Sequence, residues 1–478
     1  MADTPHFGTD GWRGVIAEDF TFAAVRRVSE ALALELSEQA SEGATPALVV
    51  GYDTRFGSAR FAAAAAEVLV AHDIHVCLCN RAVPSQAVSH AIVERGADGG
   101  MIITASHNPA HFNGIKINAR TGAPASAAFL QRVEDRLAAR EAGGGEPPRR
   151  ALDAAEDDGN LDRINPLDSY LEGLGQHFDL EALRGAGLTV AVDAMYGSGA
   201  GLLPALFAEG TTKIIEINSA ANPLFPGIRG PEPIAANLTR LARVVQDGNP
   251  AIGLALDGDA DRVGVIGRGG AYVNGQTIFA LLTLYLLEVR GWTGPIVKSL
   301  NGTAMIDILA KDFGVPVFET PVGFTAIAPV FQEQQAIIAG EETGGFAFRH
   351  HLPYRDGIIS SLFLLDLLVQ RGGNLDDAIA ALEARVGSWA YERLDIPCRQ
   401  EQGDAVTARI RIAAPKRLAG VPILRLGDDD GLKYYLEDGS WLLIRFSGTE
   451  PVLRLYAEAH TPDRVRELLT RGRELSGL

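Results

Sequence analysis

Three aspartates, Asp257, Asp259 and Asp261, alternate with Gly258 and Ala260 directly after the apolar run 251–256. Carboxylates at alternate positions of a tight loop can converge on one hard divalent cation, and Mg²⁺ favours a few carboxylates together with a phosphate oxygen. An acidic surface turn is the competing reading. An EF-hand is excluded, because the bidentate Glu and flanking helices of that loop are missing. Ser106, in TASHNP at the end of the apolar run 100–104, is placed either as an attacking nucleophile or as part of a turn punctuated by Asn108 and Pro109. A serine hydrolase is disfavoured, since the adjacent His107 points away from Ser106 on an extended chain and no GxSxG elbow is present. In RFSGTEP, Arg445, Ser447, Gly448 and Thr449 bring a guanidinium fork, two hydroxyls and glycine-freed amides to one turn, which reads as a phosphate cradle or as a plain hairpin. GSGAG at 197–201 does not match GxGxxG, so a nicotinamide enzyme has no support. His350 and His351 are neighbours, and neighbours rarely chelate one metal together.

The elements that must position these residues alternate. Residues 21–40 carry Phe22, Val25, Val28, Leu32 and Leu36 at helical spacing. Strand-like runs at 47–51, 74–78 and 100–104 are separated by helical stretches at 58–71 and after Pro84. Such alternation predicts a mainly parallel, doubly wound sheet with ligands beyond the carboxyl ends of its strands. Residues 141–160, with GGGEPP and few apolar side chains, read as a linker or a long surface excursion, with the first domain boundary near there. A second block has strands at 188–193, 213–218 and 251–256. A third begins near Asn274, has strands at 296–298 and 315–318, and ends in the helical stretch 357–386. The last ninety or so residues change character, with strands at 434–436, 441–444 and 452–457 and a helix from Pro462. The expected organisation is α/β, with four domains at 1–160, 161–271, 272–387 and 388–478, the last α+β.

A chain of 478 residues is long enough for roughly three or four domains. Its 47% hydrophobic and 22% charged residues are ordinary globular usage. Sixty acidic against 43 basic residues give a net charge of −17, which repels a phosphate backbone and disfavours general nucleic-acid binding. Three cysteines without CxxC spacing indicate neither a disulfide framework nor a thiolate metal site. The opening MADTPHFGTDGWRG lacks a basic-then-apolar signal pattern, and the longest apolar runs, 279–287 and 362–369, fall short of a membrane span. A cytoplasmic protein with no membrane partner is expected.

Read in order, GTDGWRG (8–14), TASHNP (104–109), FNGIKI (112–117), DGDADR (257–262), GEETGG (340–345) and RFSGTEP (445–451) resemble the α-D-phosphohexomutase superfamily, in particular its phosphoglucomutase/phosphomannomutase type. The resemblance spans the whole chain. It implies three related mixed α/β domains followed by a smaller, mobile α+β lid. It further implies that Ser106 carries a phosphoryl group, that Asp257, Asp259 and Asp261 hold Mg²⁺ against it, and that Arg13 and Arg262 lie close by. Lys116 becomes the candidate general acid/base, on condition that neighbouring cations depress its pKa, with His107 in support. Glu341 and Thr343 become the sugar-contacting pair, and Arg445, Ser447, Gly448 and Thr449 the distal phosphate cradle.

The implied reaction moves a phosphoryl group between the 1- and 6-positions of a glucose or mannose phosphate, through a phosphoserine and a hexose 1,6-bisphosphate that turns over end for end. Charge neutralisation and in-line positioning would come from Mg²⁺, Arg13 and Arg262. Thr325 stands where relatives often have a lysine, with Lys298 or Arg349 the residues that compensate. Phosphoglucosamine mutase is the alternative within the family, although its GTDGIRG-like opening and GEQSGH-like loop differ from the motifs here. A sugar-phosphate-binding protein without turnover and a phosphatase are the other rivals.

Overall fold

The computed structural model describes residues 5–41, 43–398, 402–413, 415–447 and 452–478. They divide into two compact units. One holds the described residues up to Val273 together with Gly345–Leu375, and the other holds Asn274–Gly344 and the described residues from Asp376 onward. The units therefore cut across the four blocks expected from sequence.

The first unit contains a six-stranded sheet built from β1 (Trp12–Val15), β2 (Ala47–Tyr52), β3 (His75–Cys79), β4 (Gly99–Ile103), β5 (Phe112–Ala119) and β6 (Leu161–Ile164), in the order β1-β5-β4-β2-β3-β6. β2 runs parallel to β3 and β4, and β3 to β6. β5 is antiparallel to both β4 and β1. The connection from β4 to β5 is too short for a parallel crossover, which needs a dozen or more residues, so the chain turns back at once and the turn is TASHNP. The helix Phe22–Gln39 starts at Thr21, whose hydroxyl accepts the Ala24 amide at 3.1 Å. Its Val25, Val28 and Leu32 pack with Phe61, Leu69, Val76, Met101 and Ile103 into one core.

β6 corrects the boundary expected at 160. Residues 141–160 do not lead away from the first sheet but return to its edge, where Leu161 and Ile164 bury their side chains and pair alongside β3. Composition registered the exposed excursion and missed the short strand after it.

A second sheet in the same unit runs β11-β10-β9-β7-β8, with β7 (Thr189–Asp193), β8 (Lys213–Ile217), β9 (Ile252–Leu256), β10 (Val263–Ile266) and β11 (Tyr272–Val273). β9 and β10 pair antiparallel from Leu256↔Val263, so the aspartates occupy the loop of a hairpin. The expected helical stretch 357–386 is two helices, Gly357–Gln370 and Leu375–Val386, broken where Gly372 and Gly373 take positive φ.

In the second unit, Val317–Thr320 and Ile338–Gly340 run parallel to Ile296–Ser299. The C-terminal domain is an antiparallel sheet in which Ala390–Pro397, Val452–Ala459, Trp441–Phe446, Leu432–Leu436 and Val421–Gly427 lie side by side. The helix Pro462–Ser476 buries Val465, Leu468 and Leu469 in that domain's core. Among the described residues no helix is long and apolar enough to cross a membrane.

Candidate active site

The β4–β5 turn and the β9–β10 loop meet in the first unit. Ser106 is fully buried, and its φ of 48° is a left-handed conformation that non-glycine residues seldom adopt and that concentrates at functional turns. Its Oγ donates to Asp257 Oδ2 at 3.0 Å. The loops approach so closely that a Cβ on Gly258 would stand 2.4 Å from the Ser106 carbonyl oxygen, which makes glycine necessary there. Because Ser106 is not extended, its neighbour does not point away: His107 Nδ1 lies 3.3 Å from Ser106 Oγ.

Arg55 holds this turn. Its Nη2 donates to the carbonyls of Ser106 and Asn108 at 2.6 and 2.5 Å, and its Nη1 to those of Pro109 and Phe112 at 2.9 and 3.1 Å. Asp53 pairs with Arg55 and accepts the Thr104 hydroxyl at 2.7 Å, while Thr104 Oγ1 accepts the Ser106 amide at 2.8 Å. Irregular backbone is thus satisfied by side chains instead of by a ladder.

All three loop aspartates are buried, and their carboxylate oxygens lie within 4.8 Å of one another. Ser85 Oγ donates to Asp259 Oδ2 at 2.5 Å. Lys116 Nζ lies 2.7 Å from Asp259 Oδ2, 2.8 Å from Asp261 Oδ2 and 3.5 Å from Asp10 Oδ2. Arg355 Nη2 bridges Asp261 Oδ2 and Asp10 Oδ1. Arg13 pairs with Asp10 and donates to Asn108 of the serine turn. Arg262 Nε stands 4.0 Å from Asp257 Oδ2 and 3.9 Å from Asp261 Oδ1.

Burial and the neighbouring Asp261 and Asp259 push Asp257 well above the usual carboxylate range. Burial also penalises the Asp261 charge, but Arg355, Lys116 and Arg262 outweigh it and hold that carboxyl far below its ordinary value. Burial and then Arg262, Arg13 and Lys116 drive His107 well below the usual imidazole range, so it meets Ser106 as a neutral ring. The condition set for Lys116 is not met. Burial alone would lower its pKa, but Asp10, Asp259 and Asp261 raise it well above that of free lysine.

The donor set fits a divalent cation. Asp259 Oδ1 and Asp261 Oδ1 are buried and accept no hydrogen bond from any described residue, a costly condition for a carboxylate oxygen, and an all-oxygen loop beside the Ser106 hydroxyl matches the preference of Mg²⁺.

Ser106, His107, Lys116, Arg13, Arg262 and the three aspartates are therefore brought together. Glu341, Thr343, Lys298, Arg445 and Ser447 belong to the second unit. There Thr343 Oγ1 is buried and accepts or donates no hydrogen bond among the described residues. Arg445 Nε donates to Asp430 Oδ2 at 2.8 Å, and the same oxygen accepts the Val322 amide at 2.9 Å. Lys298 Nζ is engaged by Asp307 and the Thr303 carbonyl, at 2.5 and 3.1 Å. Thr325 lies in the first turn of the helix Phe324–Glu333. Gly448 and Thr449 lie outside the described residues.

Sequence reasoning assigned no role to Asp10, Arg55, Ser85 or Arg355. Asp10 sits inside the quoted GTDGWRG and was visible there; Arg55 and Arg355 gave no local signal, because each acts on a loop far away in the chain.

Models of the phosphoglucomutase/phosphomannomutase α/β/α domains I, II and III match residues 4–143, 168–270 and 274–386, and that of the C-terminal domain matches 399–474. The chain belongs to the phosphoglucomutase/phosphomannomutase family. It is 30% identical over 471 residues to a phosphoglucomutase/phosphomannomutase of Thermococcus kodakarensis, covering 98% of each chain. It is also 30% identical to a probable phosphoglucosamine mutase of Methanothermobacter thermautotrophicus, over 98% of this chain and 96% of that one. A provisionally assigned phosphomannomutase of Thermus thermophilus superposes with a TM-score of 0.86 at 34% identity over the full length of both. The family places the chain among the phosphohexomutases, which are isomerases of the α-D-phosphohexomutase superfamily.

Proposed function

We propose that this phosphohexomutase interconverts the 1- and 6-phosphates of glucose, mannose or both, with Ser106 as the phosphoryl carrier. The observation that carries this reading is the 3.0 Å contact between Ser106 Oγ and Asp257 Oδ2, on a turn that Arg55 fastens at four carbonyls. Phosphorylated Ser106 loses its O–P bond as the sugar's free hydroxyl gains one and releases its proton. The resulting bisphosphate turns over, and its other phosphoryl group returns to Ser106 as the second sugar oxygen recovers a proton. Arg13 and Arg262 supply positive charge to the transferring group. Lys116 takes the hydroxyl proton only in a state where Asp10, Asp259 and Asp261, the carboxylates that keep it protonated, are otherwise engaged. Asp257, Asp259 and Asp261 would hold Mg²⁺, which when bound neutralises charge on the phosphoryl oxygens.

Glu341 and Thr343 would contact the sugar hydroxyls, and Arg445, Ser447, Gly448 and Thr449 the non-reacting phosphate. The cytoplasm is the proposed location. The name of the Methanothermobacter relative favours glucosamine phosphate as the second substrate to test. Rates with glucose 1-phosphate, mannose 1-phosphate and glucosamine 1-phosphate, with free phosphate measured in parallel, separate these readings from a phosphatase or a silent binding protein. Full activity in Ser106→Ala would reject the carrier role.

A further inference from the structure

β3 and β6 carry a second cluster of donors, away from the aspartate loop in sequence and different from it in chemistry. His75 and Cys77 are two residues apart on β3, so their side chains leave the same face of the strand. Parallel pairing sets Cys77 in register with Asp162 of β6, which brings that carboxylate to the same face. His75 Nε2 lies 3.2 Å from Asp162 Oδ2. The imidazole nitrogen, the thiol sulfur and a carboxylate oxygen all fall within 4.8 Å of one another. Among the described residues, only this trio and the three loop aspartates form such a cluster.

The separations suit a small tetrahedral ion. Zinc binds nitrogen and oxygen at about 2.0–2.2 Å and sulfur at about 2.3 Å, so neighbouring donors sit roughly 3.3–3.7 Å apart. The His75–Asp162 pair is already near that spacing at 3.2 Å, and the Cys77 sulfur lies within 4.8 Å of both. The backbone is fixed independently of any ligand, because β3 is paired on both edges, to β2 and to β6. A mixed nitrogen, sulfur and oxygen set is wrong for Mg²⁺ or Ca²⁺, which take oxygen, and right for a borderline-soft ion. Cys77 is buried, His75 half-buried and Asp162 exposed, so the floor of the cluster is protein and its mouth is open to water.

We propose that His75, Cys77 and Asp162 form a Zn²⁺ site whose fourth coordination position is left to solvent. Zinc takes the place of the Cys77 thiol proton, which passes to the buffer, and binds His75 as the neutral imidazole and Asp162 as the carboxylate. The Arg95 guanidinium, whose positive charge acts on the Cys77 thiol, favours its thiolate form.

Co²⁺ is the diagnostic probe, because only thiolate ligation produces a sulfur-to-cobalt charge-transfer band, and the aspartate loop has no sulfur. The full chain is stripped of metal, supplied with excess Mg²⁺ to occupy the aspartates, and titrated with Co²⁺ and then with Zn²⁺ against a chromophoric chelator. One equivalent of Co²⁺ should produce the band and one of Zn²⁺ should displace it. Cys77→Ser should remove the band, and His75→Ala and Asp162→Asn should each weaken Zn²⁺ binding at least tenfold. Asp162→Asn changes an exposed side chain, so its result stands even if Cys77→Ser fails to fold. No band in the parent protein, a band that persists in folded Cys77→Ser, or unchanged affinity in Asp162→Asn would overturn the site.

Discussion

Arg355 donates a 2.8 Å hydrogen bond to Asp261, joining the segment just before the helix Gly357–Gln370 to the loop that carries the three aspartates. Arg355 is 2% exposed and also binds Asp10, so one guanidinium fixes a carboxylate of the aspartate loop to the GTDGWRG turn. Gly345 makes room for it, since a Cβ there would stand 2.3 Å from Arg355 Cδ.

Removing that cation takes one partner from the buried Asp261 and from the partly buried Asp10, and leaves Lys116 and Arg13 as the nearest remaining cations. Arg355→Met should lower stability by about 3–5 kcal/mol, the usual cost of breaking a buried ion pair on one side, and should loosen divalent-cation binding because Asp261 is no longer oriented. Chemical denaturation and Mn²⁺ titration measure the two effects. Unchanged values for both would refute the positioning role.

Arg55 makes four hydrogen bonds to carbonyls of the serine turn. Bonds from a charged donor contribute about 1.5–3 kcal/mol each and are not additive. Arg55→Ala should cost about 3 kcal/mol or more and should slow phosphorylation of Ser106 by glucose 1,6-bisphosphate. Intact-protein mass against time reads the second effect. Normal phosphorylation kinetics would mean that the turn keeps its shape without Arg55.

Asp10 gives the acid limb of stability. Burial raises its pKa, but Arg355, Lys116 and Arg13 together bring it down to about 2, below the unfolded value of about 3.9. Ionised Asp10 therefore stabilises the fold above that pH, by about 2 kcal/mol, and the contribution is lost as pH falls from about 4 through about 2. Asp10→Asn should flatten the unfolding free energy over that window, at constant salt. An acid limb identical to the parent's would assign the dependence to other carboxylates.

What was legible in the sequence divides by range. The helix Phe22–Gln39 and strands such as Ala47–Tyr52 and Ile252–Leu256 follow from local periodicity, and the loops that carry chemistry follow from residue type. The antiparallel return of β5 was missed because alternation of strand and helix argues for parallel pairing, whereas the decisive fact was the length of the β4–β5 turn. His107 was misplaced because the left-handed Ser106 reverses what an extended chain would do. Lys116 was expected among cations, but Asp10, Asp259 and Asp261 come from segments whose convergence no local pattern records.

The aspartate loop should make turnover depend on a divalent cation, because buried carboxylates beside a phosphoserine repel each other unless a cation lies among them. Exhaustive chelation should abolish activity and Mg²⁺ should restore it. Asp259→Asn should lose most activity with its fold retained, since Ser85 and Lys116 can still bond an amide oxygen. Undiminished turnover in metal-free buffer would reject the cation's part in the reaction.

Sugar selection tests the second unit. If Glu341 and Thr343 contact the 3- and 4-hydroxyls, they meet identical groups on glucose and mannose, which differ at carbon 2, and should discriminate little between them. Galactose 1-phosphate inverts carbon 4. Thr343 Oγ1 is buried and unpartnered among the described residues, so a sugar that turns its hydroxyl away leaves that oxygen unsatisfied at about 1–3 kcal/mol, roughly 5- to 150-fold in kcat/KM. Thr343→Val keeps the shape and removes the oxygen, and should therefore narrow the glucose–galactose gap while slowing glucose. Because the bisphosphate presents the same hydroxyls in both orientations, Glu341→Ala should weaken the forward and reverse reactions alike. Equal kcat/KM for the glucose and galactose phosphates in the parent enzyme, or a Thr343→Val variant with the parent's selectivity, would remove these two residues from sugar recognition.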